Sequence, residues 1–181
     1  MKKLDFQAIK AELEKKAKEF QEQLEGNESK ITLFLLGSSY PKAELEKRKQ
    51  VSKELVEKTK FNIILMEELH EWTLLFSKKF KGIINKFKPD LYIIIFTKNG
   101  HKSGVTFEIG FLCGFFGYDV IVNKLHFCIE EGIEMKVLTE YIQEIISEAK
   151  IHYFSDNKTL INSIIHFGHD KEKELGYIQE I

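Results

Sequence analysis

The sequence predicts a doubly wound α/β domain, in which helices cover both faces of a mostly parallel sheet. Three apolar runs, ITLFLL (31–36), FNIILM (61–66) and LYIIIFT (91–97), are typical of strands that are buried on both faces. Segments with helical spacing of apolar residues separate these runs, and polar turns close them. Strands that alternate with helices in this way indicate a parallel sheet, because each crossover needs a connecting helix.

The first third of the chain supplies two helices and one strand. Apolar residues recur at near-helical spacing over 4–24, which predicts an amphipathic helix that ends at the turn-prone EGNES (25–29). The strand at 31–36 stops at GSSYP, where Pro41 suits the start of the next helix. The charged stretch 42–59 is predicted to form that helix, with most of its surface in water.

The middle third repeats the pattern. The second strand is followed by the loop EELHEW (67–72) and by a helix over 73–87, whose apolar residues share one face. The third strand leads into the polar loop KNGHKS (98–103), and GVTFEIGFLCGFFG (104–117) follows as a helix capped by Ser103. Three glycines are predicted to let this helix approach its neighbours closely: Gly110, Gly114 and Gly117.

The last third completes the sheet. We predict a fourth strand within 119–129, a helix near 136–149, a short fifth strand at IHYF (151–154), and a final helix from about Asp156 to Phe167. These elements together form a flavodoxin- or Rossmann-like three-layer sandwich with about five mostly parallel strands. We expect a single domain.

This domain is expected to span residues 1–181, with its core at 31–167 and an extra amino-terminal helix, within 1–25, on its outside. Its composition, with 43% apolar and 30% charged residues and a formal net charge of −1, indicates no overall attraction to nucleic acid polymers or membranes. Cys113 and Cys128 lack CxxC spacing, so we expect no disulfide framework. No apolar run can span a bilayer and no signal peptide is apparent, which favours the cytoplasm.

Cofactor and metal motifs are missing from the sequence. It contains no GxGxxG, GxxxxGK[ST], GxSxG or HExxH segment, which counts against ordinary NAD redox chemistry and ATP hydrolysis. Four histidines lack metal-ligand spacing with acidic or thiol partners: His126, His152, His166 and His169. We therefore expect neither a metal nor a cofactor.

Ligands of doubly wound sheets bind beyond the carboxyl ends of the strands, near the switch point in strand order. This rule selects the loops GSSYP, EELHEW and KNGHKS. In the first loop, the amides and hydroxyls of Gly37, Ser38 and Ser39 could hold a phosphate or a sugar hydroxyl. Tyr40 could flank a base or simply fill the rim. Strand-to-helix turns also use Gly and Ser for geometry alone.

The other two loops offer hydrogen-bonding side chains. Asn99 and His101 lie in an Asn-Gly turn after the third strand. Four residues of the second loop could line the same cleft: Glu67, Glu68, His70 and Trp72. Each of these residues also fits a solvated surface loop. Asp90 begins its strand, so we expect it at the opposite edge of the sheet in a structural role.

Glu108 is the one carboxylate within the apolar stretch 104–117. The residues three and four positions away carry no charge: Gly104, Val105, Phe111 and Leu112. No cation of its own helix can therefore neutralise it, and its side chain faces either a partner from elsewhere or a cavity. Apolar surroundings would raise the pKa of this carboxyl, whereas the helix amino terminus would lower it.

The order of these pieces resembles the nucleoside 2-deoxyribosyltransferase superfamily, which includes the deoxynucleoside 5′-monophosphate N-glycosidases. In that family a glycine-rich turn follows the first strand, and a segment G-x-x-x-E-x-G carries the nucleophilic glutamate after a later strand. The matching positions over about residues 31–130 are Gly37, Ser38, Ser39, Gly104, Glu108 and Gly110. Prokaryotic TIR-like domains, some of which cleave NAD, place a Phe-Glu pair at a similar helix start, so FEIG alone does not separate the two groups.

The resemblance implies cleavage or transfer at the N-glycosidic bond of a nucleoside or nucleotide, with Glu108 as nucleophile. It implies substrate contacts by Gly37, Ser38, Ser39, Tyr40, His70, Asn99, His101 and Gly104. His70 or His101 would give a proton to the leaving base. The family usually has an acidic residue shortly before the glutamate segment, whereas this chain offers KNGHKS. The implied partners are a small nucleoside, nucleotide or NAD and further copies of the chain in a homo-oligomer.

Three alternatives make different predictions. A TIR-like NAD glycohydrolase would release nicotinamide from NAD and leave deoxynucleosides intact. A non-catalytic nucleotide-binding or sensory module would be stabilised by its ligand without forming product. A purely structural interaction domain would show no change in melting temperature with any small ligand.

Overall fold

The computed structural model describes residues 31–68, 76–134, 140, 143–145 and 149–177. Within these ranges the predicted alternation of strands and helices is confirmed. The strands and the longer helical segments are, in chain order, β1 Thr32–Gly37, α1 Lys42–Lys58, β2 Asn62–Leu65, α2 Phe76–Phe87, β3 Leu91–Phe96, α3 Lys102–Phe116, α4 Tyr118–Ile121, β4 Leu125–Glu130, β5 Lys150–Phe154 and α5 Asn157–Glu174. The helix predicted at 4–24 and most of the one predicted near 136–149 lie outside the described residues.

The five strands form one parallel sheet in the order β2-β1-β3-β4-β5. Leu35 in the middle of β1 lies opposite Leu65 of β2 on one side and Ile93 of β3 on the other. This order confirms the doubly wound, flavodoxin-like fold class. Because the chain leaves β1 toward β2 and then returns to the other side of β1 with β3, the switch point lies between β1 and β3.

Alternate residues along each strand enter two separate cores, because side chains point to opposite faces with a period of two. Phe34 and Leu36 of β1 pack with Phe80 of α2 and Ile109 of α3 on one face. On the other face Leu33 and Leu35 pack with apolar residues of α1 and α5: Val51, Leu55, Leu160 and Ile164. Helices therefore cover both faces, and β3 between them is buried along its whole length.

Asp90 is a structural residue at the amino edge of the sheet, as predicted. Its side chain accepts the Thr32 N–H at 2.8 Å, and its own N–H donates to the Thr32 carbonyl at 2.9 Å. These two bonds connect the start of β3 to the start of β1.

Three details differ from the sequence predictions. Helix α3 begins at Lys102 with His101 at its N-cap, and not after Ser103, because backbone bonds to the neighbouring loop hold His101 in an extended conformation. The fourth strand begins in the second half of its predicted window, at Leu125, because the chain first makes another helical turn, α4, and it runs one residue past the window to Glu130. Helix α5 continues past Phe167 to Glu174, where the pairs His169–Glu172 and Lys171–Glu174 support its exposed end.

The prediction that glycines bring α3 close to its neighbours is wrong. A Cβ built at Gly110, Gly114 or Gly117 meets no other described atom within 4 Å, beyond its own surroundings in the helix, and all three residues are exposed. Their spacing puts them on one face, but that face points to solvent. Gly117, with φ +83°, instead ends the helix in a conformation that suits glycine.

Among the described residues no single helix has the length and apolar character needed to cross a bilayer. The segments Lys102–Phe116 and Tyr118–Lys124 are long and apolar enough only when they are taken together, and a bend of 111° separates them.

Candidate functional site

The candidate site lies at the carboxyl edge of the sheet, at the switch point between β1 and β3. Gly37 ends β1, and Glu108 is the seventh residue of α3, the helix that follows β3. Glu67 lies just after β2, the next strand outward. Three neighbouring strands and one helix therefore bring these backbone and side-chain groups together.

Glu108 is buried here, with 6% of its surface exposed. Its carboxyl group accepts a hydrogen bond from the Gly37 N–H, and its Oε2 atom is buried without a hydrogen-bond partner among the described residues. Burial raises the pKa of Glu108 to about 8, a change that the Glu67 carboxylate adds to and that Arg48 and the Gly37 N–H oppose. At neutral pH most Glu108 side chains are therefore protonated and uncharged.

Arg48 of α1 is the cation of this site, and the sequence predictions did not include it. It is 4% exposed; its Nη1 donates to the Ser38 carbonyl at 3.3 Å and its Nη2 donates to Oε1 of Glu67. Two signals in the sequence point to it. It is the chain's only arginine, and it lies three and seven positions before the apolar Val51 and Leu55 on the face that α1 buries.

Burial favours the neutral form of Glu108, and the charges around it offset only part of that effect. One guanidinium faces two carboxyl groups, and it makes its direct ion pair with Glu67. Ionising Glu108 as well would leave a second negative charge in a poorly hydrated place, which costs several kcal/mol. Because Arg48 is paired with Glu67, it offsets only part of the cost of burying a charge on Glu108.

Two glycines let the loops of the site approach each other. A Cβ at Gly37 would lie 2.9 Å from the Ile95 carbonyl oxygen and 3.0 Å from Nη1 of Arg48. A Cβ at Gly100 would lie 2.5 Å from Oγ1 of Thr97. Larger residues at these two positions would separate the loops. Gly104, a predicted substrate contact, has open space around it instead.

The hydroxyl of Ser38 joins the two loops that follow β1 and β3. It donates to the Tyr40 carbonyl at 2.6 Å and accepts the His101 N–H at 2.9 Å. The rings of Tyr40 and His101 then meet edge to face at 4.7 Å, with Tyr40 64% exposed. Ser39 and Asn99 are exposed beside them.

The predicted residues of the EELHEW loop have different outcomes. Glu67 belongs to the site through its ion pair with Arg48. His70, Trp72 and the side chain of Glu68 lie outside the described residues.

The space next to Arg48 is small. A cavity of about 10 Å³ lies among Gly37, Arg48 and Thr97, which is the volume of roughly one water molecule. Within the described ranges no group of three or more His, Cys, Asp and Glu residues is arranged to hold a metal ion. A larger ligand would enter from the exposed side, where Tyr40, Asn99 and His101 lie.

Comparison with known proteins gives structural neighbours only. No protein-family model matches the chain, and no curated protein matches its sequence. The structure is similar to a 2-deoxyribosyltransferase from Bacillus psychrosaccharolyticus, with a TM-score of 0.49 and 16% identity over 73% of this chain and 91% of the other. It is similar to a conserved protein from Enterococcus faecalis V583, with a TM-score of 0.54 and 13% identity over 76% of this chain and 99% of the other. The likeness is one of fold.

Proposed function

We propose that this chain cleaves or transfers the N-glycosidic bond of a nucleoside or nucleotide, with Glu108 as the nucleophile. The observation that carries the proposal is a buried carboxyl at the switch point of a doubly wound sheet, with one oxygen that lacks a partner among the described residues. The G-x-x-x-E-x-G spacing of Gly104, Glu108 and Gly110 supports the same assignment.

The chemistry needs a carboxylate with little hydration beside the anomeric carbon. Glu108 first loses its proton, and its carboxylate then bonds to C1′ while the C1′–N bond breaks and its electron pair passes to the base nitrogen. The base leaves after taking up a proton. Water, or the nitrogen of a second base, then attacks C1′ and releases the carboxylate; the attacking group loses a proton to solvent.

Arg48 and the Gly37 amide would both assist the first step of this reaction, the ionisation of Glu108. Both favour the ionised form of Glu108, and both are already in place before a substrate arrives. Groups that are positioned in advance stabilise charge without a cost of reorganisation during the reaction.

We assign the substrate contacts to the exposed rim of the site. The hydroxyl of Ser38 already connects two loops, so we assign the sugar or phosphate to Ser39 and to the backbone of Gly37 and Ser38. Tyr40 and Asn99 would contact the base, and Gly104 would leave room for it. Either His101 or His70 would give the base its proton.

A panel of substrates tests the proposal. Wild-type protein, Glu108→Gln and a control, Glu57→Gln, are incubated with 2′-deoxynucleosides, deoxynucleoside 5′-monophosphates and NAD, and released base is measured by chromatography. We expect release from at least one compound, a loss of about 10³-fold or more in Glu108→Gln, and no change in the control, whose side chain is 60% exposed on α1.

The panel also separates the neighbouring hypotheses. Nicotinamide release from NAD alone would identify a TIR-like NAD glycohydrolase. Full turnover by a folded Glu108→Gln protein would show that Glu108 is not the nucleophile.

A nucleotide-binding module without turnover is the second candidate. The protonated state and 6% exposure of Glu108 favour it, because a resting nucleophile needs its negative charge. This candidate predicts a ligand-induced rise in melting temperature with no free base from any compound in the panel.

A further inference from the structure

A second cavity lies at the opposite, amino edge of the sheet. Its volume is about 520 Å³, which falls in the range of small-molecule sites. The starts of three strands bound it: Leu91 of β3, His126 of β4 and Lys150 of β5. The end of α5 forms another part of its boundary. Since β3 is six residues long, the cavity is about 16 Å from the Glu108 edge.

The charge around this cavity is positive. Lys124, Lys150 and Lys171 line it, against a single lining carboxylate, Glu174. Lys171 is bonded to Glu174 at 2.6 Å. Neither Lys124 nor Lys150 forms an ion pair with any part of the chain that the structure describes.

His126 gives the cavity a buried polar group. It is 3% exposed, lies opposite Lys150 in the pairing of β4 with β5, and packs edge to face against Phe167 at 4.4 Å. Its Nδ1 atom is buried and has no hydrogen-bond partner among the described residues. Most buried polar groups in proteins have a hydrogen-bond partner, so this nitrogen needs an explanation.

The remaining wall is mostly apolar, with one amide side chain, Asn123, among its described residues. Leu91 and Phe167 are buried there, and Val120 is 54% exposed beside them. A simple ion such as chloride would use the lysines but not this wall. A ligand that fits both parts carries a negative group at one end and an apolar group at the other.

We propose that this cavity is a second ligand site, for a small molecule in which a phosphate or carboxylate is attached to an aromatic or other apolar group. Lys124 and Lys150 bind the anion, the His126 ring lies beside it, and Leu91, Val120 and Phe167 contact the apolar group. The site is independent of Glu108 and of the reaction proposed for it.

The test uses phenyl phosphate and benzoate as probes, with phenol as the uncharged comparison, in titrations followed by calorimetry and by NMR of the histidine rings. We expect saturable binding of at least one anion and none of phenol. The tighter of the two anions identifies the anionic group. Single substitutions Lys124→Ala and Lys150→Ala should each weaken binding about tenfold, whereas Lys53→Ala, whose side chain is 79% exposed on α1, should not change it.

The NMR signals of His126 give a second readout. Burial, Lys150 and Lys171 lower the pKa of His126 to about 4, while Asp170 and Glu174 oppose that change. A bound anion beside the ring would stabilise the protonated imidazolium, as Asp170 and Glu174 do. The apparent pKa of His126 should therefore rise as probe is added. Histidines far from the cavity, such as His101, should keep their signals.

Three results would overturn the inference. They are equal binding of phenol and the anions, binding that is unaffected by both lysine substitutions, and the lack of any saturable binding in the millimolar range. Shifts of the His101 ring signals in place of those of His126 would place the probe in the other site. None of these results bears on whether base is released in the substrate panel.

Discussion

A single buried guanidinium connects the charged and backbone groups of the candidate active site. Arg48 contacts the backbone of Ser38 and the carboxylate of Glu67, and it lies close enough to Glu108 to lower the pKa of that group. A lysine would not substitute well, because its ammonium lacks the planar fork that serves two partners at once. The residue therefore links the fold of the β1 loop to the chemistry proposed for Glu108.

Replacing Arg48 should destabilise the protein. In Arg48→Met the Glu67 carboxylate loses its partner while it stays mostly buried, which we expect to lower the free energy of unfolding by about 2–4 kcal/mol. The matched substitution Lys49→Met removes only an exposed pair with Glu46 on the same helix and should cost less than about 0.5 kcal/mol. Urea denaturation of both variants measures the difference, and equal stabilities would show that the buried pair contributes nothing.

The sequence predictions do not include Arg48, but they include three other candidates for this site: Glu108, Gly37 and Glu67. Glu108 is recognisable because a lone carboxylate in an apolar helix needs a partner, and Gly37 is recognisable because it ends a buried strand. Arg48 is hidden by its surroundings, KRKQ, which look like a solvated face. Only the combination of a unique arginine with the apolar Val51 and Leu55 distinguishes it from its lysine neighbours.

At the scale of elements, the helices show which glycines matter. Gly168 of α5 packs against Phe61, and a Cβ there would lie 2.3 Å from Cε2 of that ring. Phe61 is itself 2% exposed, so it has little room to move. The glycines of α3 meet open space instead.

Alanine substitutions should therefore have opposite effects in the two helices. Gly168→Ala should destabilise the protein by about 1–2 kcal/mol, because overpacking against Phe61 outweighs the better helix propensity of alanine. Gly110→Ala should stabilise it by about 0.5–1 kcal/mol. Thermal denaturation of the two variants is the measurement, and a stabilised Gly168→Ala protein would refute the packing argument.

The strands were easier to predict than the ends of the helices. Apolar runs such as LYIIIF can only be buried on both faces, so their position follows from the hydrophobic effect alone. Helix ends depend on contacts that are distant in sequence. His101 precedes α3 because Ser38 and Tyr40 hold its amide, and no local pattern shows those bonds.

At the scale of the whole molecule, two buried groups at opposite edges of the sheet give stability two opposing pH dependences. Glu108 has a pKa of about 8 in the folded chain against an ordinary 4.5, so ionisation of the unfolded chain lowers stability as the pH rises from 4.5 to 8. His126 has a pKa of about 4 against an ordinary 6.5, so protonation of the unfolded chain lowers stability as the pH falls from 6.5 to 4. Of these two groups, only Glu108 changes its contribution between pH 6.5 and 8.

The substitution Glu108→Gln should therefore reduce the loss of folding stability that the wild-type protein shows as the pH rises above 6.5. Between pH 6.5 and 8 the wild-type protein should lose about 2 kcal/mol relative to this variant, since one proton over that interval corresponds to about 1.4 kcal/mol per pH unit. Urea titrations at the two pH values measure it, with Glu57→Gln as a control that should follow the wild type. Parallel curves for wild type and Glu108→Gln would mean that Glu108 is ionised in the folded chain.

The fold class could be predicted from the sequence because it depends on periodicity, which is a property of the whole chain. The site depends on single contacts between different elements, from Arg48 with Glu67, 19 positions apart, to Ser38 with His101, 63 positions apart. The extra amino-terminal helix and the expected homo-oligomer stay predictions.

The uniqueness of Arg48 also has a practical consequence for limited proteolysis. A protease that cuts only after arginine has one possible target in this chain, the bond between Arg48 and Lys49, and it would give the fragments 1–48 and 49–181. That bond lies within α1, and its arginine is 4% exposed, so the protease must wait until the helix opens. The rate at which the two fragments form therefore reports the opening of α1 directly, and any compound that tightens this edge of the sheet should slow it.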